Sequence, residues 1–353
     1  MPDIHQLMRF CAEQNASDLH LAVGRPPVLR QSGRLKSLDM DILTAGDTEA
    51  VSTQIIPERL REEFQELGSV DFGMGLEDIA RFRVSVFRQQ GCVGIVMRLI
   101  PSKLLSFEQI GLPENVKDLL VKPRGLILVT GPTGSGKTTT LATMIDYVNT
   151  HFDRHIITIE DPIEYRHSHK KSVITQREVG TDTPGFSEAM RRALRQDPDI
   201  ILLGEMRDLE TISTAITAAE TGHLVMGTLH TTGTARTVDR IIDSFPPDQQ
   251  EQVRQQLAGG ILAVLSQVLV PRADREGVVA AFEIMINSAA IANHIRKGAT
   301  FKIYSEIQTG KRRGMRLLDD HLLELYRDGF ISDEHALSLA QRTAEMRDQI
   351  GIQ

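Results

Sequence analysis

Gly131-Pro132-Thr133-Gly134-Ser135-Gly136-Lys137-Thr138, followed by Thr139 and Thr140, satisfies the pattern G-x-x-x-x-G-K-[ST] of a phosphate-cradling P-loop. Its flanks supply the context that the pattern requires. Gly125-Leu126-Ile127-Leu128-Val129-Thr130 is a short apolar, β-branched run that reads as a buried strand. Leu141, Ala142, Met144, Ile145 and Val148 then recur at helical spacing. Glycines at 131, 134 and 136 let the backbone bring its N–H groups close to phosphate oxygens, and the following helix points its positive end at the same anion. Lys137 suits the β- and γ-phosphates, and the Thr138 hydroxyl suits Mg²⁺. The stretch predicts a nucleoside triphosphate site.

The chain of 353 residues is long enough for two or three domains. Its 40 basic and 47 acidic side chains give a net charge of −7, which argues against nucleic acid as the main partner. Basic clusters at Arg166–Lys171 and Lys311–Arg316 read as solvated loops. Two cysteines, Cys11 and Cys92, exclude a disulfide framework and a Cys-rich zinc site and suit a reducing compartment. The first ten residues carry no basic segment followed by an apolar core, so no signal peptide is expected. The longest apolar stretch, Gly259–Val270, is interrupted by Ser266 and Gln267 and is too short to span a bilayer. A cytoplasmic location is expected.

Residues 1–100 read as a small α+β domain. A helix over 5–14 precedes an alternating strand at 17–23, a turn signal at Ser32-Gly33, and helices over 48–67 broken at Pro57. Strands at 70–74, 81–86 and 93–100 complete an antiparallel sheet. Phe82, Val84 and Val86 share one strand face, and Arg81 and Arg83 the other, with Arg88 beyond the end. These arginines can serve as arginine fingers or simply rim an exposed strand. Residues 101–113, with two prolines and no period, read as a linker. From 114 onward, strands at 125–130, 155–160, 199–204 and 224–229 alternate with helices, the mark of a parallel sheet covered on both faces. After about 250 the chain reads as mostly helical.

Strand ends in a parallel sheet face the ligand crevice, so polar residues there are candidates. The first such end carries Glu160, Asp161 and Glu164, carboxylates that can hold Mg²⁺ through its waters. The second is Asp199-Ile200-Ile201-Leu202-Leu203-Gly204-Glu205, where the lone Glu205 is placed to orient or activate a water. The third strand starts at His223 and ends at His230, beside Thr231 and Thr232. His230 is a candidate for sensing the γ-phosphate, whereas His223 is equally well a structural histidine. Arg191, Arg192 and Arg195 lie on a helix that reads either as a subunit contact or as a solvated face.

Taken together, these stretches resemble the secretion-ATPase superfamily and, within it, the type IV pilus retraction (twitching motility) ATPases. The resemblance rests on ASDLHL at 16–21, GPTGSGKTTT at 131–140, ITIEDPIEY at 157–165, QREVG at 176–180, LRQDPDIILLGEMRD at 194–208, GHLVMGTLHTT at 222–232 and RIIDSFP at 240–246. It spans nearly the whole chain. It implies an α/β fold: a PAS-like N-terminal domain (1–100), a linker (101–113) and a RecA-like P-loop ATPase domain (114–353) ending in a helical tail from about 250. It also implies a cytoplasmic homo-hexamer that hydrolyses ATP with Mg²⁺ and acts on an inner-membrane pilus platform protein, alone or with a paralogous retraction ATPase. In family terms, Gly131, Thr133, Gly134, Ser135, Gly136, Lys137, Thr138 and Thr139 hold nucleotide, together with His223. Thr138, Glu160, Asp161 and Glu164 serve the metal, while Glu205, Glu164, His230 and the arginines 81, 83 and 88 serve catalysis.

Two cysteines cannot build the tetracysteine zinc motif of the pilus assembly and type II secretion ATPases, which favours retraction over assembly. The retraction family's AIRNLIRE-type helix corresponds to residues 290–297, where Ala292, His294 and Lys297 depart from it. An accessory retraction ATPase therefore stays open beside the main reading. A non-hydrolysing scaffold has no need of Lys137, Thr138, Glu205 and His230 together, and a DNA-translocating ring suits the negative charge poorly.

Overall fold

All six residues of Gly125–Thr130 are buried, and the larger of the chain's two units is built outward from that strand. The computed structural model describes residues 3–31, 33–76, 79–100 and 104–351. It divides into two units: Met1–Lys103 with Pro162–Arg166, and Leu104–Asp161 with His167–Gln353. Ser32 of the turn signal and residues 101–103 of the linker stretch lie outside the described residues.

The first unit opens with α1 (Ile4–Glu13), whose N-terminal donors are capped by the Asp3 carboxylate. Strands β1 (Asp18–Leu21), β2 (Val28–Gln31) and β3 (Arg34–Ser37) precede helices α2 (Ala45–Ile55) and α3 (Arg61–Leu67). Strands β4 (Ser69–Leu76), β5 (Ala80–Gln89) and β6 (Cys92–Ile100) follow. The six strands pair antiparallel in the order β3-β2-β1-β6-β5-β4. On β5 the alternation holds, since Phe82, Val84 and Val86 are inaccessible to solvent. Arg83 on the opposite face is exposed. Arg81 lies over Gly73, where an added Cβ would meet its Nη2 at 2.6 Å. Arg88 stacks its guanidinium 5.2 Å from the Phe64 ring centroid.

The second unit begins with the short helix α4 (Lys117–Leu120) and β7 (Gly125–Thr130). There follow α5 (Lys137–His151), β8 (His155–Glu160), β9 (Val173–Glu178), α6 (Phe186–Ala193), β10 (Ile200–Leu203), α7 (Leu209–Thr221), β11 (Leu224–Leu229), α8 (Thr234–Asp243) and α9 (Gln250–Gly260). Two strands come next, β12 (Ile261–Pro271) and β13 (Val278–Ile286). The sheet order is β13-β12-β7-β11-β10-β8-β9, parallel throughout except for the antiparallel β12–β13 pair. Side-chain alternation gives this sheet two cores. Leu126 and Leu128 face a cluster that includes Ile157, Ile201 and Val225, while Ile127 and Val129 face Leu141, Met144 and Val148 of α5.

The helical reading beyond about 250 needs correction over 261–286, where β12 and β13 extend the sheet. Ile261–Pro271 is buried along most of its length, and a largely apolar run without alternation fits a buried helix and a buried strand equally well. Helices resume with α10 (Ala289–Arg296), α11 (Ile303–Thr309), α12 (Leu318–Arg327), α13 (Asp333–Leu339) and α14 (Thr343–Ile350). Leu322 and Met346 pack there with Val270 and Ala281 of the strand pair. Among the described residues no helix is long and apolar enough to cross a membrane.

Candidate active site

Strand β7 runs directly into the glycine loop. Gly131, Gly134 and Gly136 take φ of +139°, +78° and +86°, conformations that L side chains rarely adopt. Gly131 has no room for a side chain either, because a Cβ would lie 2.2 Å from the carbonyl oxygen of Gln267 on β12. Helix α5 begins at Lys137 without a side-chain cap, which leaves its positive end for an anion. Lys137 Nζ donates to the carbonyl oxygens of Gly131 (2.9 Å) and Pro132 (3.0 Å). Ser135 is buried, and its hydroxyl has no hydrogen-bond partner among the described residues. Thr133 is exposed, and Thr138 and Thr139 are half-buried at the start of the helix. The base of the helix is fixed to the sheet by Thr140, whose hydroxyl donates to Gln267 Oε1 at 2.7 Å.

The acidic strand ends belong to the same parallel sheet, with β10 two strands and β8 three strands away from β7. Glu160 closes β8 in a buried position and accepts from the Thr158 hydroxyl (2.6 Å) and from Gln176 Nε2 (3.1 Å). Asp161 is exposed, and its charge acts on Arg207. Glu164 falls in the segment Pro162–Arg166, which groups with the first unit. After β10, Gly204 allows close approach to β8, since a Cβ there would sit 3.2 Å from the Ile159 carbonyl oxygen. Glu205 is half-buried, and its Oε1 accepts from Arg207 Nε at 2.7 Å and lies 3.1 Å from His230 Nε2. Burial alone would raise its pKa, but the hydrogen bond and charge of Arg207, helped by His230, overcome that and hold it below the ordinary glutamate value.

His230 follows the last residue of β11, which pairs with Thr130 at the mouth of the P-loop. The next residues are tightly tied. The Thr231 and Thr237 hydroxyls lie 2.7 Å apart, and Thr237 also donates to the Gly233 carbonyl oxygen at 2.8 Å. Gly233 N–H donates to Ser266 Oγ at 2.8 Å. The buried Glu283 of β13 receives the Thr234 N–H (2.7 Å) and hydroxyl (2.8 Å), and so caps α8 from another strand. Gln341 donates to the other carboxylate oxygen at 3.1 Å. His223 stands apart from this group. It precedes β11 at the opposite strand end, roughly 20 Å away at about 3.3 Å per residue. The structure does not bring it to the P-loop of its own chain.

Sequence reasoning missed Arg207, Ser266, Gln267 and Glu283. Ser266 and Gln267 did leave a signal, being the polar pair that interrupts an otherwise apolar strand. The loop fits a nucleotide's phosphates, because it offers a glycine cradle, an uncapped helix start, an unpartnered buried hydroxyl and a lysine. Among the described residues no three His, Cys, Asp or Glu side chains converge on a cation. A magnesium ion there would rest on the Thr138 hydroxyl and on the nucleotide's own phosphates, as this reluctantly dehydrated ion usually does.

Residues 66–350 match the family model described as type II/IV secretion system protein. The chain is 50% identical to the type IV pilus retractation ATPase PilT of Pseudomonas aeruginosa over 339 residues, covering 96% of this chain and 98% of that protein. It is 46% identical to a twitching motility protein of Neisseria gonorrhoeae, covering 91% of this chain and 86% of the relative. The fold superposes on the crystal structure of the pilus retraction motor PilT with bound ADP at a TM-score of 0.90, with 45% identity over 98% of this chain and 99% of that one. The glycine cradle, the strand-end glutamate and these likenesses together place the chain in the type II/IV secretion system protein family.

Proposed function

We propose that the chain is a Mg²⁺-dependent ATPase that powers type IV pilus retraction as a homo-hexameric motor. The observation that carries the reading is Glu205, kept ionised by Arg207 and His230 at a strand end in the same sheet as the P-loop strand. The loop's N–H groups and Lys137 hold the β- and γ-phosphates, exchanging the carbonyl contacts of Lys137 for phosphate oxygens. Thr138 offers its hydroxyl to the metal that comes with the nucleotide, and Asp161 its carboxylate to the metal's waters. Glu205 orients a water for in-line attack and accepts its proton as the new O–P bond forms and the bond to the ADP oxygen breaks. His230, sharing the same carboxylate oxygen, is placed to register whether the γ-phosphate is present. Of the three arginines of β5, Arg83 and Arg88 are exposed, Arg88 is stacked on Phe64, and we assign Arg83 the finger role.

The motor would act at the cytoplasmic face of the inner membrane, held there through a platform protein and not through nucleic acid. The closing test is Mg²⁺-dependent ATP turnover of the purified chain beside Glu205→Ala and Lys137→Ala, with the oligomer mass recorded in parallel. Turnover by a hexamer, abolished by Glu205→Ala while ATP still binds, supports the reading. Tight ATP binding without turnover in the wild-type hexamer would overturn it in favour of an accessory subunit that needs a partner.

A further inference from the structure

A cavity of about 250 Å³ opens beside Glu205, which lines it with Arg207, His230, Thr231, Arg240 and Ser244 over an apolar floor. Liquid water takes about 30 Å³ per molecule, so the space holds a small hydrated anion. Two guanidinium groups and one carboxylate line it, and that carboxylate is already engaged by Arg207 and His230. Arg207 uses Nε on Glu205, which leaves its terminal N–H groups for another acceptor. Arg240, exposed on α8, has no carboxylate partner among the described residues.

In-line attack carries the phosphoryl group away from ADP and toward the water. If Glu205 holds that water, the product phosphate finishes on the Glu205 side, where this cavity lies. We propose that the cavity is the exit chamber for inorganic phosphate, with Arg240 and the terminal nitrogens of Arg207 as its anchors. Two arginines suit this ion because their N–H forks match phosphate oxygens. ADP stays behind on the P-loop, so the phosphate has a route of its own. The proposal rests on the ATPase reading and specifies how that site releases its first product.

The test is calorimetric titration of inorganic phosphate into full-length protein saturated with Mg²⁺ and ADP, which blocks the P-loop. The wild type should bind phosphate, and Arg240→Gln should weaken binding roughly ten- to a hundredfold, the scale of a lost charge-assisted hydrogen bond. Arg240→Lys should recover part of it, since the charge returns without the fork. Equal affinity in Arg240→Gln, or no binding by the wild type, overturns the chamber. Binding that disappears in Lys137→Ala but survives Arg240→Gln also overturns it, by placing the ion in the P-loop. Turnover is measured separately, so a chain that fails to hydrolyse ATP counts against the ATPase reading, and phosphate affinity counts against the chamber.

Discussion

Arg207 donates through Nε to Oε1 of Glu205 at 2.7 Å, a charge-assisted contact two residues along the same loop. Burial pushes the carboxyl pKa up and Arg207 pulls it further down, so this neighbour keeps the carboxylate charged to lower pH. With a lowered pKa, the charged form persists as pH falls and is lost only below the ordinary glutamate range. Arg207→Ala should therefore move the acid limb of the turnover–pH profile to higher pH while ATP affinity changes little. An unmoved acid limb would show that Glu205 keeps its charge without Arg207.

Lys137 spans two carbonyls of its own loop, at 2.9 and 3.0 Å, and so holds the P-loop curled before any phosphate arrives. Lys137→Ala should weaken ATP binding roughly ten- to a hundredfold, from loss of a charged hydrogen bond worth about 1.5–3 kcal/mol. Fluorescent-nucleotide titration reads this directly, with circular dichroism confirming the fold.

Gly131→Ala meets both a φ of +139° and a backbone oxygen 2.2 Å from the new Cβ. The backbone conformation alone costs about 1–3 kcal/mol, and a carbonyl in a central sheet cannot swing aside cheaply. We expect a lower Tm and loss of nucleotide binding. Gly259→Ala in α9, where a Cβ meets nothing within 4 Å, is the matched control and should hold or raise Tm.

His321 is buried under the β12–β13 pair and accepts the Phe282 N–H through Nδ1 at 2.9 Å. Burial, and then the charge of Arg316, push its pKa from 6.5 down to about 3. The unfolded chain takes up a proton near 6.5 and the folded chain does not until about 3, so acid favours unfolding across that window. Stability should fall by up to about 1.4 kcal/mol per pH unit as pH drops through it. His321→Gln should flatten the slope in urea titrations at pH 7 and pH 5.

The parts of the site built from neighbouring residues were legible in the sequence. The glycine spacing at 131, 134 and 136, the strand before it and the lone Glu205 after an apolar run all declare their chemistry locally. Contacts across long separations were not. Thr140 meets Gln267 across 127 positions, and Thr234 meets Glu283 across 49. Neither pairing leaves a trace in local periodicity. The separation of His223 from His230 was hidden for a related reason: the two share a short motif, yet a strand places its two ends far apart. Strand β9 escaped because Thr175–Glu178 is polar throughout and shows no alternation to read.

The buttress that Gln267 gives the glycine loop also bears on how the chain is made. A ribosome emits the phosphate-binding motif early, but its wall arrives only with β12, some 130 residues later. A nascent chain that ends before β12 carries the complete nucleotide signature without the sheet neighbour that shapes it. The finished shape of the loop therefore belongs late in biosynthesis, after the strand that walls it has been added.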